Sequence, residues 1–233
     1  MVTLIPVADR EELTTKAAEQ TAKVIANAQQ SGDGYARIVL TGGGAGIGML
    51  QKLRELDGID WARIHIFFGD ERNVPTDHPD SNEGQARAAL LDHVSIPQEH
   101  IHGWRLGELS LDAAVTAYAG TLSKYAPQGF DLHLLGMGGE GHINSIFPHT
   151  DAVREQNALT LAVTDSPKPP AERATLTLPA IAQADHVWLL VSGAEKAEAA
   201  SHVIAGSPAE DWPAAGAHGR VETLLILSED ARI

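Results

Sequence analysis

Phe130-Asp131-Leu132-His133-Leu134-Leu135-Gly136-Met137-Gly138-Gly139-Glu140-Gly141-His142, running on to Phe147-Pro148, is the stretch whose reading decides the fold. Residues 130–135 are mostly apolar, as a strand buried on both faces is. The strand stops at a glycine-packed turn that carries one carboxylate and one imidazole two residues apart. Open α/β sheets bind their ligands at the carboxyl ends of strands, so this turn is the first place to look for chemistry. Gly136, Gly138 and Gly141 also satisfy the G-x-G-x-x-G dinucleotide pattern. That pattern must open a long helix, and Pro148 lies only seven residues beyond Gly141. The turn is therefore read as a catalytic turn and not as a nucleotide cradle.

Working outward, the same alternation recurs. Asp9 can cap a helix with Glu12 three residues on, as in a capping box, and Gly32 ends that run. Residues 35–41 are a β-branched strand that stops at Gly42-Gly43-Gly44-Ala45-Gly46, before a helix over 49–56. Residues 63–69 form a strand ending in Asp70-Glu71-Arg72. A helix over 81–93, capped by Asp80 or Ser81, a short strand near 101–104 and a helix over 111–125 lead to the central strand. Beyond Pro148 come a strand over 159–163, a proline-rich link, and residues 173–178, which alternate as an exposed-edge strand does. A buried strand over 186–191, a helix over 193–204 and a last strand over 221–227 complete the chain. Strands alternating with 10–15-residue helices predict βαβ units and a parallel sheet. The expected architecture is a single α/β domain over 1–233. It is doubly wound and Rossmann-like, with a mainly parallel sheet, helices on both faces and room for a small subdomain after Pro148.

Composition narrows the function. The 233 residues include 17 Lys and Arg against 31 Asp and Glu, a formal charge of −14. Such a surface disfavours nucleic acid and anionic membranes, but a few cations gathered in one pocket can still hold a small anion. The chain has no cysteine, which excludes disulfides and thiolate chemistry. The N-terminal segment lacks a basic, then apolar, leader pattern, and no run approaches ~20 apolar residues. A cytoplasmic protein is expected.

Two glycine turns could carry chemistry. A strand–glycine turn–helix unit such as 41–46 aims backbone N–H groups at one point, which suits a phosphate. It has neither the Lys-Ser/Thr ending of a P-loop nor dinucleotide spacing. At the second turn, His142 and Glu140 fit a base and its orienter: a neutral imidazole takes a proton from water while a carboxylate fixes its tautomer. Arg72 could hold an oxyanion. Arg173 and Lys196, with the first glycine turn, would make an anion site. The chain has 11 histidines. His65, His133 and His186 fall in strands and read as structural, while His100 and His102 lack a third metal ligand.

Four blocks then resemble the glucosamine-6-phosphate isomerase/6-phosphogluconolactonase superfamily, and its lactonase branch in particular. They are Leu40-Thr41-Gly42-Gly43-Gly44; Asp70-Glu71-Arg72-Asn73-Val74-Pro75 with Ser81-Asn82; residues 136–148; and Pro169-Pro170-Ala171-Glu172-Arg173-Ala174-Thr175-Leu176-Thr177 with Ser192-Gly193-Ala194-Glu195-Lys196. Together they span nearly the whole chain in the family's order. The resemblance implies hydrolysis of 6-phospho-D-glucono-1,5-lactone to 6-phosphogluconate, the second step of the oxidative pentose phosphate pathway, with no cofactor or metal. It implies His142 as the base, Glu140 as its orienter and Arg72 at the oxyanion. Gly42, Gly43, Gly44, Asp70, Arg173 and Lys196 are implied around the substrate and its phosphate. The implied partner is this small lactone, with no nucleic acid or membrane, and the implied state is a monomer or weak homodimer.

Two departures stand out. The family more often has Asp where Glu140 stands, and Ser-Thr-Pro where Gly44-Ala45-Gly46 stands. A sister activity, deamination and isomerisation of glucosamine 6-phosphate, shares the turn up to Ile143. It carries an acid where Phe147 stands and Tyr where Arg72 stands, so the residues here lean to the lactonase. A non-catalytic sugar-phosphate sensor on the same fold is the third possibility; it would keep the anion grip and have no need of His142.

Overall fold

The computed structural model describes residues 2–232. In chain order its elements are β1 (Thr3–Val7), α1 (Arg10–Gln29), β2 (Ala36–Leu40), α2 (Gly43–Arg54), β3 (Ile64–Phe68), β4 (Asp70–Arg72), α3 (Asn82–Ala89), β5 (Ile101–His102), α4 (Leu111–Tyr125), β6 (Phe130–Leu135), α5 (Asp151–Arg154), β7 (Thr160–Val163), β8 (Arg173–Leu176), α6 (Leu178–Ile181), β9 (Ala184–Val191), α7 (Ala197–Ala205) and β10 (Glu222–Ser228).

Seven strands form one parallel sheet in the order β1-β10-β9-β6-β2-β3-β5. The chain moves one way from β2 through β3 to β5, then returns to lay β6 on the other side of β2. Right-handed crossovers place the connections before and after this reversal on opposite faces. α2 packs on both α1 and α3, while α4 packs on β7 and β8. The reversal falls between β2 and β6. A crevice opens there at the carboxyl ends of the strands, between the two glycine turns singled out in the sequence.

β6 sits near the middle because its side chains can be buried on both faces: Leu132, Leu134 and Leu135 are fully buried. Each such side chain contributes roughly 1.5–3 kcal/mol relative to exposure. Its charged residue is accommodated at the start of the strand, where the Arg37 backbone N–H donates to Asp131 Oδ2 at 2.7 Å. The buried His133 stays neutral; burial pushes its imidazole down to about 3. At the other end of the chain Asp9 caps α1 by accepting from the Glu12 N–H at 2.9 Å. Glu12 reaches back to the Ala8 N–H at 2.7 Å, so the box closes one residue earlier than the usual pattern.

Three local expectations change. α2 begins at Gly43, inside the glycine turn, and not at 49. Asp70-Glu71-Arg72, expected as the end of the preceding strand, is a strand of its own, β4, paired antiparallel with β8, and β8 pairs with β7 on its other side. Residues 173–176 are thus the buried centre of a three-stranded sheet and not an exposed edge. The alternation misled because Thr175, fully buried, satisfies its hydroxyl by donating to the Leu176 carbonyl at 2.9 Å. The parallel edge strand β1 went unread in the sequence; Pro6 interrupts its pattern and most of it is exposed.

Candidate active site

The cleft at the reversal is lined by Thr41 and the glycines after β2, Asp70 and Arg72 of β4, Gly136 and His142 after β6, Asn144, Arg173 of β8 and Lys196 after β9. The two turns touch directly: the Gly136 N–H donates to Thr41 Oγ1 at 2.9 Å. Of the residues singled out in the sequence, His142, Arg72, Gly42, Gly43, Gly44, Asp70, Arg173 and Lys196 all line this cleft, and Glu140 stands behind His142.

The first turn has the features that suit an anion. Gly42 is the N-cap of α2 and Gly43 has φ +77°, a backbone that favours glycine. The first N–H groups of a helix have no intrahelical acceptor, and here they open toward the cleft lined by Gly42, Gly43 and Gly44. Three of the chain's 17 basic residues line the same cleft. Burial lowers the Lys196 ammonium from its usual value; Glu195 opposes this, and the positive charges of Arg10 and Lys168 add to it. Burial likewise lowers Arg173, against the favourable charge of Asp70 and with the repulsion of Arg72. Cations destabilised by burial and by one another are relieved by a bound anion. Arg173 is held in place by backbone carbonyls: Nε donates to Pro170 O at 3.1 Å, and Nη2 to Lys168 O and Pro169 O at 3.1 and 3.0 Å. Arg72 Nη1 donates to Asp80 O at 3.1 Å and to Asn82 Oδ1 at 2.5 Å.

The carboxylates near these cations are tightly held. Asp70 accepts from Asn82 Nδ2 at 2.9 Å and from Ser145 Oγ at 2.7 Å. Glu71 is buried beneath the start of α3, and its carboxylate accepts from the N–H groups of Arg72, Asn82 and Glu83 and from Ser81 Oγ. Burial pushes it up to about 7 against those donors. It fixes β4 to α3 and hence Arg72 and Asn82 to the cleft wall.

The second turn closes on itself instead of opening a helix. The Gly138 N–H donates to the His142 carbonyl at 2.9 Å, and the Gly141 N–H to the Gly138 carbonyl at 3.0 Å. His142 Nδ1 lies 3.1 Å from Glu140 Oε1. The ring N–H does not point along that line, and Nδ1 has no aligned acceptor; the contact is a charge–dipole one that a small rotation would turn into a hydrogen bond. Glu140 is held well below the usual carboxylate range, first by His142 and then by Lys168, so it is ionised at neutral pH. Gly138 leaves the space this pair occupies: a Cβ there would collide with His142 Nδ1 and stand 2.6 Å from Glu140 Oε2. The imidazole stacks on Phe147 with ring centroids 4.4 Å apart and planes at 22°, and the Arg173 guanidinium lies 5.8 Å from the centre of the Phe147 ring. One aromatic ring therefore spaces the imidazole from a cation.

Three residues here escaped the sequence reading. Lys168 bonds Glu140 across 28 positions of sequence, a distance no local motif bridges. Arg10 is recognisable only once α1 is set beside α2. Asn144 has φ 47° and a buried Oδ1 without a partner, and it lines the cleft; Asn is the residue, after glycine, that most readily adopts that backbone. The histidines outside the cleft are structural in the ways available to them: His65 Nδ1 and His102 Nε2 are 2.9 Å apart in a stack that includes His100, and His186 pairs with Glu222 at 2.8 Å. Among the described residues no group of three or more His, Asp or Glu side chains could hold a metal ion, and no helix is long and apolar enough to cross a membrane.

Comparison with known proteins points the same way. Residues 8–226 match the family described as glucosamine-6-phosphate isomerases/6-phosphogluconolactonase. A 6-phosphogluconolactonase of Mycobacterium leprae is 50% identical over 206 residues, covering 84% of this chain and 83% of that protein. The crystal structure of a 6-phosphogluconolactonase from Thermotoga maritima superposes with a TM-score of 0.88 at 26% identity, covering 98% of this chain and all of that one. A monomeric glucosamine-6-phosphate deaminase superposes nearly as well, with a TM-score of 0.86 at 23% identity, over 99% of this chain and 98% of that one. The backbone alone therefore does not separate the two activities. The chain belongs to the glucosamine-6-phosphate isomerase/6-phosphogluconolactonase family.

Proposed function

We propose that the protein hydrolyses 6-phospho-D-glucono-1,5-lactone to 6-phospho-D-gluconate, the second step of the oxidative pentose phosphate pathway. The observation that carries this reading is the single cleft in which an imidazole backed by a carboxylate shares its walls with a helix N-terminus, Arg173 and Lys196. A sugar phosphate needs the second set, and a hydrolysis needs the first.

Glu140 keeps the proton on Nδ1, which leaves Nε2 to act as base. A water between Nε2 and the lactone C1 loses its proton to the imidazole as its oxygen attacks. The carbonyl oxygen becomes an oxyanion facing Arg72 and backbone N–H groups of the glycine turns. Collapse breaks the bond from C1 to the ring oxygen, and the imidazolium returns its proton to that oxygen. Atoms and charge balance with water as the sole co-reactant. The α2 N-terminus with Gly42, Gly43 and Gly44, Lys196 and Arg173 hold the 6-phosphate, and Asp70 accepts from a sugar hydroxyl. The barrier to be lowered is modest, because lactones open unaided in water.

The sister deamination needs a proton relay through an acid. Phe147, buried and stacked on His142, occupies the place where that acid would stand. A small, diffusible anionic substrate suits a cytoplasmic enzyme acting as a monomer or weak homodimer. The test is a paired assay. Freshly prepared 6-phosphogluconolactone should release acid well above its spontaneous rate, while glucosamine 6-phosphate should release no ammonia. Ammonia release without lactone opening would transfer the assignment to the sister activity; phosphosugar binding with neither reaction would make the protein a sensor.

A further inference from the structure

We propose that Lys168 is a positioning residue for His142: its ammonium clamps the Glu140 carboxylate beside the imidazole, and the proline loop that carries it ties this base to the cationic part of the cleft. The inference rests on the reading of His142 as the base.

The clamp straddles the carboxylate. Lys168 Nζ lies 2.8 Å from Glu140 Oε1 and 3.1 Å from Oε2, while His142 Nδ1 lies 3.1 Å from the same Oε1. As a contribution to stability such a pair is worth little, since both side chains are more than one-third exposed and exposed ion pairs give ~0–1 kcal/mol. Its value lies in geometry. Glu140 is a long, partly exposed side chain, so its carboxylate must be restrained to remain at the imidazole.

The restraint has a rigid base. Ser166 Oγ donates to the Lys168 carbonyl at 2.9 Å and accepts from the Lys168 N–H at 3.3 Å, and the Ser166 N–H donates to Ala171 O at 3.0 Å. The carbonyls of Lys168, Pro169 and Pro170 hold the Arg173 guanidinium. One short loop therefore fixes Glu140 through a side chain and Arg173 through its backbone. Any shift of the loop moves the base and an anion-binding cation together.

The ammonium also acts through charge. The groups that face His142 are Glu140 on its own turn, Lys168 from the proline loop, Asp70 and Arg72 of β4, Arg173 of β8 and Lys196 after β9. Phe147, stacked on the ring, is uncharged. The Lys168 charge holds the Glu140 carboxylate in place beside the ring. Without it the long Glu140 side chain is free to leave the imidazole, and the ring loses the group that fixes its tautomer.

The experiment compares wild type with Lys168→Met and Lys168→Arg, with Lys168→Gln in reserve if the Met protein fails to fold. The ring nitrogens of His142 are followed by 15N NMR in the substrate-free protein, and lactone kinetics are measured beside them. In the Met variant the Nδ1 and Nε2 resonances should move toward each other as the ring loses the carboxylate that fixes its tautomer. There kcat should fall about tenfold, and KM should change less than twofold. Arg should restore both readouts. Unmoved ring resonances in the Met or Gln protein, or an Arg variant as impaired as Met, would overturn the proposal. A wild type that does not accelerate lactone opening would refute the lactonase reading instead, and the ring resonances would still decide the role of Lys168.

Discussion

The turns after β2 and β6 look alike in sequence and do opposite things. Each ends a buried strand in a run of glycines, and they touch through Thr41 and Gly136. After β2 the chain enters a 12-residue helix, and the turn offers unpaired N–H groups. After β6 it folds back through the Gly138–His142 hydrogen bond, and the turn offers side chains. The glycines serve different ends: φ +77° at Gly43 and room for the His142–Glu140 pair at Gly138. Both glycine-rich turns line one cleft. In the function proposed for it, the turn that leads into a helix binds and the turn that folds back reacts.

That division of labour can be broken on one side at a time. The largest effect among the turn variants is expected from Gly138→Ala, which drives a methyl into the imidazole. A displacement on the order of 1 Å costs about 100-fold, so kcat should fall about that much with the fold intact by circular dichroism; a near-normal kcat would show that the pair geometry is irrelevant. Glu140→Gln should lower kcat by about tenfold to thirtyfold, through loss of the charge that orients the ring and stabilises the imidazolium, with KM nearly constant. On the binding side the sign of the split reverses. Lys196→Ala should raise KM about tenfold, the scale of one charge-assisted hydrogen bond, and leave the acid limb of the pH profile in place. Arg10→Ala should raise KM only a few-fold, because Arg10 acts on the site through its charge. A kcat effect from either cation, with KM unchanged, would mean that the two turns are not separable.

Much of this was legible in the sequence, for identifiable reasons. α4 and β6 run over the residues expected, 111–125 and 130–135, because their periodicity is uninterrupted and a proline or glycine closes each. The residues brought to the cleft could be named because each sits at the carboxyl end of a strand or in a strand beside it. What could not be read depended on long-range partners. Asp70, Glu71 and Arg72 are charged and short, and they become a strand only because β8 arrives about 100 residues later. Residues 43–48 are helical although rich in glycine, since α1 packs along α2 and supplies what propensity lacks. Lys168 lies in a proline-rich loop with no periodicity, and its contact with Glu140 exists only once the fold brings the two together.

The smallest effect on rate at neutral pH belongs to the histidines outside the cleft, and it serves as a control on the acid limb. Burial holds His65 and His102 down to about 4 and His133 to about 3. Unfolded, each would take up a proton near ~6.5, so their contribution is complete above that pH and is lost as pH falls toward 4. Glu71, raised to about 7, works in the opposite sense and gains stability from pH 7 down to the unfolded carboxyl range. Three buried histidines against one raised carboxyl leave a net loss of stability on the acid side. The urea midpoint should therefore be lower at pH 5 than at pH 7, and an equal or higher midpoint would show that the histidines are not buried neutral.

The most direct test of the central claim compares wild type and His142→Ala in one run on freshly prepared 6-phosphogluconolactone, with 6-phosphogluconate binding measured on both proteins. The account predicts fast acid release from wild type and a fall on the order of 100-fold or more in the variant, with product affinity preserved. A variant that keeps the wild-type rate would contradict it.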